Sequence, residues 1–233
     1  MTISSIALSQ IELEERSFIT KVYGWMAFAL IITGLVAFFT ASNKIMLTIL
    51  FKTPLLFWGL ILIELLLVGF LSAAVQNMSL PVATGVFILY SAINGLTLSV
   101  IFLVYTMDSI ASTFFITAAT FGIMSLYGYF TKTDLTTIGN LCFMALIGLI
   151  IASIVNIFFS NPILYWATTY IGILIFVGLT AYDTQKIKKL NIIGNEGTDE
   201  DKKEAIIGAL VLYLDFINLF LLLLRIFGVR RRN

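Results

Sequence analysis

The chain has 233 residues, of which 60% are apolar and 12% charged, and its formal net charge is +1. Soluble domains carry about a quarter charged residues, and a single globule of this length cannot hide so much apolar surface from water. The composition therefore predicts an integral membrane protein, and the near-neutral charge gives no reason to expect nucleic acid as a partner.

The residue counts exclude several kinds of site. The sequence has no histidine, so histidine-bound zinc, Ser/His/Asp triads and histidine proton shuttles are unavailable. Its one cysteine, Cys142, lies in an apolar run and cannot form an internal disulfide. Because no catalytic constellation stands out, we expect neither an enzyme nor a cofactor.

Residues 1–21 form a polar segment before the first apolar run. Acidic residues and Arg16 occupy the place where a secretory signal needs a basic stretch and a short apolar core. We interpret residues 1–21 as a polar or interfacial tail, followed by a single transmembrane domain over residues 22–233.

Seven apolar runs follow this tail, and each is long enough for the roughly 20 residues that a spanning helix needs. They cover about residues 22–39, 54–75, 81–105, 110–130, 136–159, 162–184 and 205–227. Every proline stands at the start of a predicted helix, where a missing N–H costs nothing. These prolines are Pro54, Pro81 and Pro162. The sequence therefore predicts an all-α protein with seven transmembrane helices.

The tryptophans indicate where the membrane interface lies. Every tryptophan lies near a predicted helix start, as an interfacial belt requires. These residues are Trp25, Trp58 and Trp166.

The basic residues indicate the orientation of the chain in the membrane. With seven spans, the side of the N-terminus has eight Lys and Arg residues and the other side has six, which favours a cytoplasmic N-terminus. The basic cluster at residues 230–232 argues the other way, and a re-entrant last segment would place both ends in the cytoplasm.

One connection is long and polar, at about residues 186–204. It is interpreted as a hydrophilic connector, with a partner-docking surface as the alternative. Other connections are short, and no long internal repeat supports an inverted-repeat transporter.

Three carboxylates lie inside the predicted helices: Glu64 in the second, Asp183 near the end of the sixth and Asp215 near the middle of the seventh. A carboxylate at a helix centre costs about 2.5–3.5 kcal/mol on insertion scales, so none of them should face lipid. Arg225 lies roughly 15 Å beyond Asp215 along the helix and can reach the interface, which leaves no buried counter-ion. Two carboxyl groups that share a site cannot both ionise at low cost, so such a pair would sense protons.

The sequence predicts different depths in the membrane for Asp183 and Asp215. Asp183 is about one turn inside the membrane edge, whereas Asp215 is roughly 18 Å along its helix from Lys203. Contact between them therefore needs a tilted helix or a shifted boundary. Buried structural hydrogen bonds are the alternative role for both aspartates, as for Glu64.

The seventh helix carries a polar stripe, because Asn218 follows Asp215 by three residues and shares its face. A helix that is apolar nearly all round and holds a buried acid belongs at the centre of a bundle. The other intramembrane polar groups are expected to hydrogen-bond between helices. They are Ser91, Asn94, Ser99, Thr117, Ser153, Asn156 and Tyr213.

Two C-terminal segments resemble the sequences of a known protein family. Residues 176–188 (FVGLTAYDTQKIK) and 208–220 (GALVLYLDFINLF) resemble the C-terminal signature of the Bax inhibitor-1 family, also called the transmembrane Bax-inhibitor-motif family. Further matching segments are VYGWM at 22–26, LYSAINGL at 89–96 and SLYG at 125–128. The resemblance covers the chain after the tail and is closest to bacterial members.

The resemblance implies six helices around a central seventh and a calcium leak that responds to pH. It implies that the pH sensor is an aspartate pair, which corresponds to Asp183 and Asp215. A basic partner on the second helix of one relative has no counterpart here, since that helix offers Glu64 and no cation. Glu64 and Asn218 are candidates for the ion pathway or gate.

These observations lead to one main hypothesis, a pH-sensitive calcium-permeable leak channel gated by protonation of Asp183 and Asp215. Calcium prefers six to eight oxygen ligands, so this pair would bind it weakly, as conduction requires. We expect a multi-pass protein of the bacterial inner membrane whose partners are lipid, calcium ions and protons.

Two other functions stay open. The main alternative is a membrane-embedded regulator that binds and modulates a membrane protease or another membrane protein. A proton-coupled transporter is a further alternative, whereas a retinal photoreceptor is excluded because the seventh helix has no lysine for a Schiff base.

Overall fold

The computed structural model describes residues 3–190 and 192–231. The α-helices of these residues are α1 (Ile3–Ser42), α2 (Lys44–Lys52), α3 (Pro54–Ala74), α4 (Leu80–Leu98), α5 (Ile101–Val104), α6 (Met107–Phe130), α7 (Thr136–Phe159), α8 (Pro162–Leu190) and α9 (Asp199–Phe227). A 3-10 turn over Val75–Asn77 extends α3. Within this part of the chain no β-strand forms, although an isolated bridge pairs Tyr105 with Arg230.

Seven helical stretches of the described chain are long and apolar enough to cross a membrane. They cover residues 10–42, 54–77, 80–104, 107–130, 136–159, 162–190 and 199–227. The predicted fold class, an all-α membrane protein with seven transmembrane helices, is therefore confirmed. Among the seven, the most apolar part of α9 has the largest share of buried residues and that of α7 the smallest. The arrangement of six helices around a central seventh stays a prediction.

The described residues form two compact units. The first comprises residues 3–104, 188–190 and 192–213, and the second comprises residues 105–187 and 214–231. The single transmembrane domain over residues 22–233 stays a prediction.

Helix α1 is longer than the first predicted span, because it begins at Ile3 and runs to Ser42. From residue 3 onwards the segment that we predicted as a polar tail is thus helical. Trp25 lies well inside this helix rather than near its start, and its ring packs edge-on against Phe28 and Phe87. The helix start predicted near residue 22 is therefore wrong, whereas the interfacial position of Trp25 stays a prediction.

Local sequence signals set several helix ends. The Asn43 side chain caps α2, a short helix that the apolar pattern did not predict, by accepting the N–H groups of Ile45 and Met46 at 2.9 and 3.2 Å. Pro54 and Pro162 are the first residues of α3 and α8, as the missing N–H predicts.

The connection between α8 and α9 is shorter than the predicted polar loop, because both helices extend into it. Gly194 and Gly197 turn the chain with φ of 90° and 82°. The buried carboxylate of Asp201 accepts hydrogen bonds from the Lys21 ammonium at 2.7 Å and from the Gly197 N–H at 2.9 Å. The connection is therefore fixed to α1 by charge-assisted hydrogen bonds.

Glycines let the helices of the second unit approach closely. A Cβ on Gly128 of α6 would overlap the carbonyl oxygen of Ala181 on α8, and a Cβ on Gly178 of α8 would lie 2.7 Å from the Cys142 sulfur of α7. Small residues at helix contacts are the usual means by which membrane helices pack. These positions fix α8 against its neighbours.

The contact at Gly128 gives a first prediction. We expect Gly128→Ala to lower the free energy of unfolding by about 1–3 kcal/mol, because the added methyl group forces α6 and α8 apart. Thermal unfolding in detergent micelles measures this loss.

The control is Gly122→Ala on the same helix, where an added Cβ meets no atom within 4 Å. This variant should stay within about 1 kcal/mol of the parent protein, because alanine is the better helix former. Equal losses in the two variants would contradict the close-contact explanation.

Candidate functional site

Asp183 and Asp215 lie on α8 and α9 in the second unit. Asp215 is 5% exposed, so its carboxyl group faces protein rather than lipid. Asp183 is half-buried, and α8 continues past it to Leu190. Both aspartates therefore lie inside helices and not at their ends.

The two carboxyl groups lie within hydrogen-bonding reach of each other. Since an ionised carboxylate can only accept, a hydrogen bond between them requires a proton on one of the two groups. The second oxygen of Asp215, Oδ2, is buried and makes no hydrogen bond within the described residues. The contact therefore leaves one carboxyl oxygen of Asp215 without a partner among the described residues.

Few positive charges act on the pair. The Lys186 ammonium, one turn along α8, acts on Asp183 and lies 5.9 Å from the centre of the Tyr182 ring. In the described part of the chain no lysine or arginine forms a salt bridge with Asp215. Asp215 is therefore not held by a basic side chain.

The structure brings together the two aspartates that the resemblance pairs, although their depths in the sequence differ. Their roles as a pH sensor and as weak calcium ligands stay predictions. No group of three or more Asp, Glu, Cys or His side chains that could hold a metal ion occurs among the residues described. Two carboxyl groups alone fit a transiently bound cation better than a tightly held one.

Two other side chains of α9, an amide and a guanidinium, have contacts of their own. The Asn218 amide donates to the Leu214 carbonyl of its own helix at 2.8 Å, so its assignment to the pathway or gate stays a prediction. Arg225 is exposed, and its guanidinium lies 5.3 Å from the centre of the Tyr165 ring. This position agrees with an arginine that reaches the membrane interface.

Glu64 belongs to a second polar cluster, in the first unit. Its carboxylate accepts the Thr97 hydroxyl at 2.7 Å and the Asn94 amide at 3.3 Å. The Asn94 carbonyl oxygen accepts the Tyr213 hydroxyl at 2.9 Å. Glu64 therefore has polar partners on α4, and its assignment to the pathway or gate stays a prediction.

The cluster continues to α1 through Tyr213. The Tyr213 and Thr33 hydroxyl oxygens are 2.7 Å apart, and Thr33 donates to the Ser91 carbonyl at 2.8 Å. Tyr213 is fully buried, and the rings of Phe87 and Tyr90 pack edge-on against it. Hydrogen bonds thus connect α1, α3, α4 and α9 in the interior of the first unit.

Sequence reasoning identified part of this cluster. The Asn94 and Tyr213 side chains form bonds between helices as expected, whereas Thr33 and Thr97 were missed. The hydroxyls of Ser91, Ser99 and Thr117 donate instead to carbonyls one turn earlier, so the bonds between helices predicted for them are wrong. The spacing held a signal for Thr97, because it follows Asn94 by three residues and therefore shares its face of α4. Thr33 stands in an apolar run with no such neighbour.

A family model and the sequences of several bacterial proteins match almost the whole chain. A family model described as inhibitor of apoptosis-promoting Bax1 matches residues 15–232. The inner membrane protein YbhL of Escherichia coli is 54% identical over 93% of each chain. A protein of Borreliella burgdorferi is 45% identical over 94% of each chain, and one of Deinococcus radiodurans is 39% identical over 91% of this chain and 90% of its own.

The hydroxyl of Tyr213 gives a second prediction. We expect Tyr213→Phe to lower the free energy of unfolding by about 1–3 kcal/mol, because Asn94 and Thr33 lose a buried partner. The control is Tyr90→Phe, since the Tyr90 ring packs in the same cluster while its hydroxyl makes no hydrogen bond within the described residues. Thermal unfolding measures both variants, and a larger loss for Tyr90→Phe would refute the cluster's contribution.

Proposed function

This chain belongs to the Bax inhibitor family of membrane proteins, and from that premise we propose that it is a calcium-permeable leak channel whose conductance responds to pH. The sensor in this proposal is the pair Asp183 and Asp215. One observation carries it, the contact between two carboxyl groups on different helices, one of them buried.

The pair has two states with different helix contacts. With a proton, the two carboxyl groups join α8 to α9. Without it, two like charges about 4 Å apart repel by about 4 kcal/mol at the effective dielectric near a protein surface, so the groups separate or take up a cation. Protons and cations thus compete for the same oxygens.

Calcium is the cation that the family resemblance favours as cargo. Two carboxyl groups supply at most four oxygens, fewer than the six to eight that calcium prefers. Water completes the shell, so binding is weak and the ion can leave again. A storage site would need more protein ligands.

The location follows from the same relatives. The name of the Escherichia coli relative assigns that protein to the inner membrane, and we propose the same membrane for this chain. The balance of eight basic residues against six favours a cytoplasmic N-terminus. We propose no enzymatic activity, because the sequence offers no catalytic constellation.

The alternative is a membrane-embedded regulator of a membrane protease or another membrane protein. In that case the seven helices form a docking scaffold, and the purified protein conducts no calcium at any pH. Co-purification of a membrane protease with a non-conducting protein would support this alternative.

The sensor gives a third prediction. In proteoliposomes loaded with a calcium dye, we expect the parent protein to pass calcium at a rate that changes between about pH 6 and about pH 8. Asp215→Asn should reduce this change to less than about twofold, because an amide cannot exchange the proton.

The matched control is Asp108→Asn, which makes the same substitution at an exposed acid in the first turn of α6. This variant should keep the parent's pH response. A full pH response in Asp215→Asn would contradict the sensor, and no calcium flux in the parent protein would contradict the channel.

A further inference from the structure

Helix α6 buries one face, and that face is largely polar. Thr113, Thr117, Phe121, Ser125 and Gly128 are its buried residues from the second turn onwards. Their spacing of four, four, four and three residues places them in one row along the helix. The opposite side is exposed and apolar, as a lipid-facing surface requires.

Two hydroxyl groups in this row depart from the usual behaviour of Ser and Thr in helices. Such hydroxyls normally donate to the carbonyl one turn earlier, as Thr117 does to Thr113 at 2.8 Å and Thr180 does to Phe176 at 2.7 Å. The side-chain oxygens of Thr113 and Ser125 are buried and make no hydrogen bond within the described residues. Each costs about 1–3 kcal/mol unless water or an ion satisfies it.

Ser125 lies near the helix segment that carries Asp215. One turn before it on the same face, the ring of Phe121 packs edge-on against Phe216 with centroids 5.5 Å apart. Asp215 immediately precedes Phe216 in α9. Its Oδ2 is a further buried oxygen without a hydrogen bond among the described residues.

Ser125 also lies near the helix segment that carries Asp183. Gly128, three residues after it on the same face, meets the Ala181 carbonyl so closely that no side chain fits between α6 and α8. Asp183 follows Ala181 by two residues. The SLYG segment at 125–128 therefore places a free hydroxyl between contacts to both helices of the aspartate pair.

Helix packing by small residues is the simplest alternative explanation for this row. It accounts for Gly128, but it does not account for hydroxyls that forgo the carbonyl of their own helix. Three unpartnered buried oxygens in one unit, those of Thr113, Ser125 and Asp215, instead indicate a polar ligand along this face.

We propose that the buried face of α6 lines the aqueous route of the cation, with the hydroxyl oxygens of Thr113, Thr117 and Ser125 leading to Asp215. The row is roughly 18 Å long from residue 113 to residue 125, more than half the hydrocarbon thickness. Neutral oxygen ligands in series bind a hydrated cation weakly, which lets it pass. This inference rests on the proposed function and names the residues that line its pathway.

Cysteine accessibility tests the route. Cys142 is the one cysteine, so Cys142→Ala gives a thiol-free background. Into it we would introduce Thr113→Cys, Thr117→Cys or Ser125→Cys, each of which replaces a hydroxyl by a thiol of similar shape. The control is Ala119→Cys, at a small exposed residue outside the row on the same helix.

The measurement is the rate at which a water-soluble methanethiosulfonate modifies each thiol in proteoliposomes. We expect the thiols in the row to react at least about tenfold faster than that of Ala119→Cys, because only a thiol in contact with water ionises and reacts. Three thiols in the row that react as slowly as the control would overturn the aqueous route.

Calcium flux in the same vesicles separates this inference from the leak itself. Fast modification that also blocks calcium entry supports both the aqueous route along α6 and the calcium leak. If the thiols in the row react quickly in a parent background that passes no calcium, the route holds and the calcium leak fails. Fast modification that leaves an existing calcium flux unchanged overturns the assignment of this route to the ion.

Discussion

Two carboxyl groups stay hydrogen-bonded inside a membrane protein only while they hold a proton between them. In this chain the constraint falls on α8 and α9, because Asp183 and Asp215 join these helices and Asp215 is enclosed by protein. A histidine is absent from the sequence, and no salt bridge to Asp215 occurs in the described residues. A hydrogen bond between the two carboxyl groups therefore depends on a shared proton, and in the channel that we propose a cation takes the place of that proton.

Packing around α8 gives this contact its position. Gly128 and Gly178 let α8 approach α6 and α7 until backbone and side chains touch, and Gly172 admits the Leu222 side chain of α9. Such contacts require glycine, because an added Cβ at each of these positions would lie within 3 Å of the neighbouring helix. The aspartate pair thus lies among closely packed helices of the second unit.

The spans and the intramembrane acids could be predicted from the sequence, whereas most contacts between helices could not. Hydropathy identifies spanning helices because lipid offers no hydrogen bonds to the backbone, and prolines mark the starts of α3 and α8. The helical start of α1 could not be read from its charged residues, since contacts such as that of Glu14 with the Gly194 N–H at 2.8 Å join segments distant in sequence. The spacing of residues 113, 117 and 125 was visible, but the direction of a hydroxyl is a property of the packed side chain.

The hydroxyls of Thr33 and Tyr213 have fewer hydrogens than their contacts require. The contacts of Thr33 with the Ser91 carbonyl, of Thr33 with Tyr213, and of Tyr213 with the Asn94 oxygen need three hydrogens, and two hydroxyls supply two. At any moment one of the three contacts therefore lacks a hydrogen: that of Thr33 with the Ser91 carbonyl, that of Tyr213 with the Asn94 oxygen, or that between the two hydroxyls. Rotation of the O–H bonds exchanges these arrangements while every heavy atom stays in place. The direction of these hydrogen bonds in the interior of the first unit can thus reverse without ionisation, next to the Asn94 amide that binds Glu64.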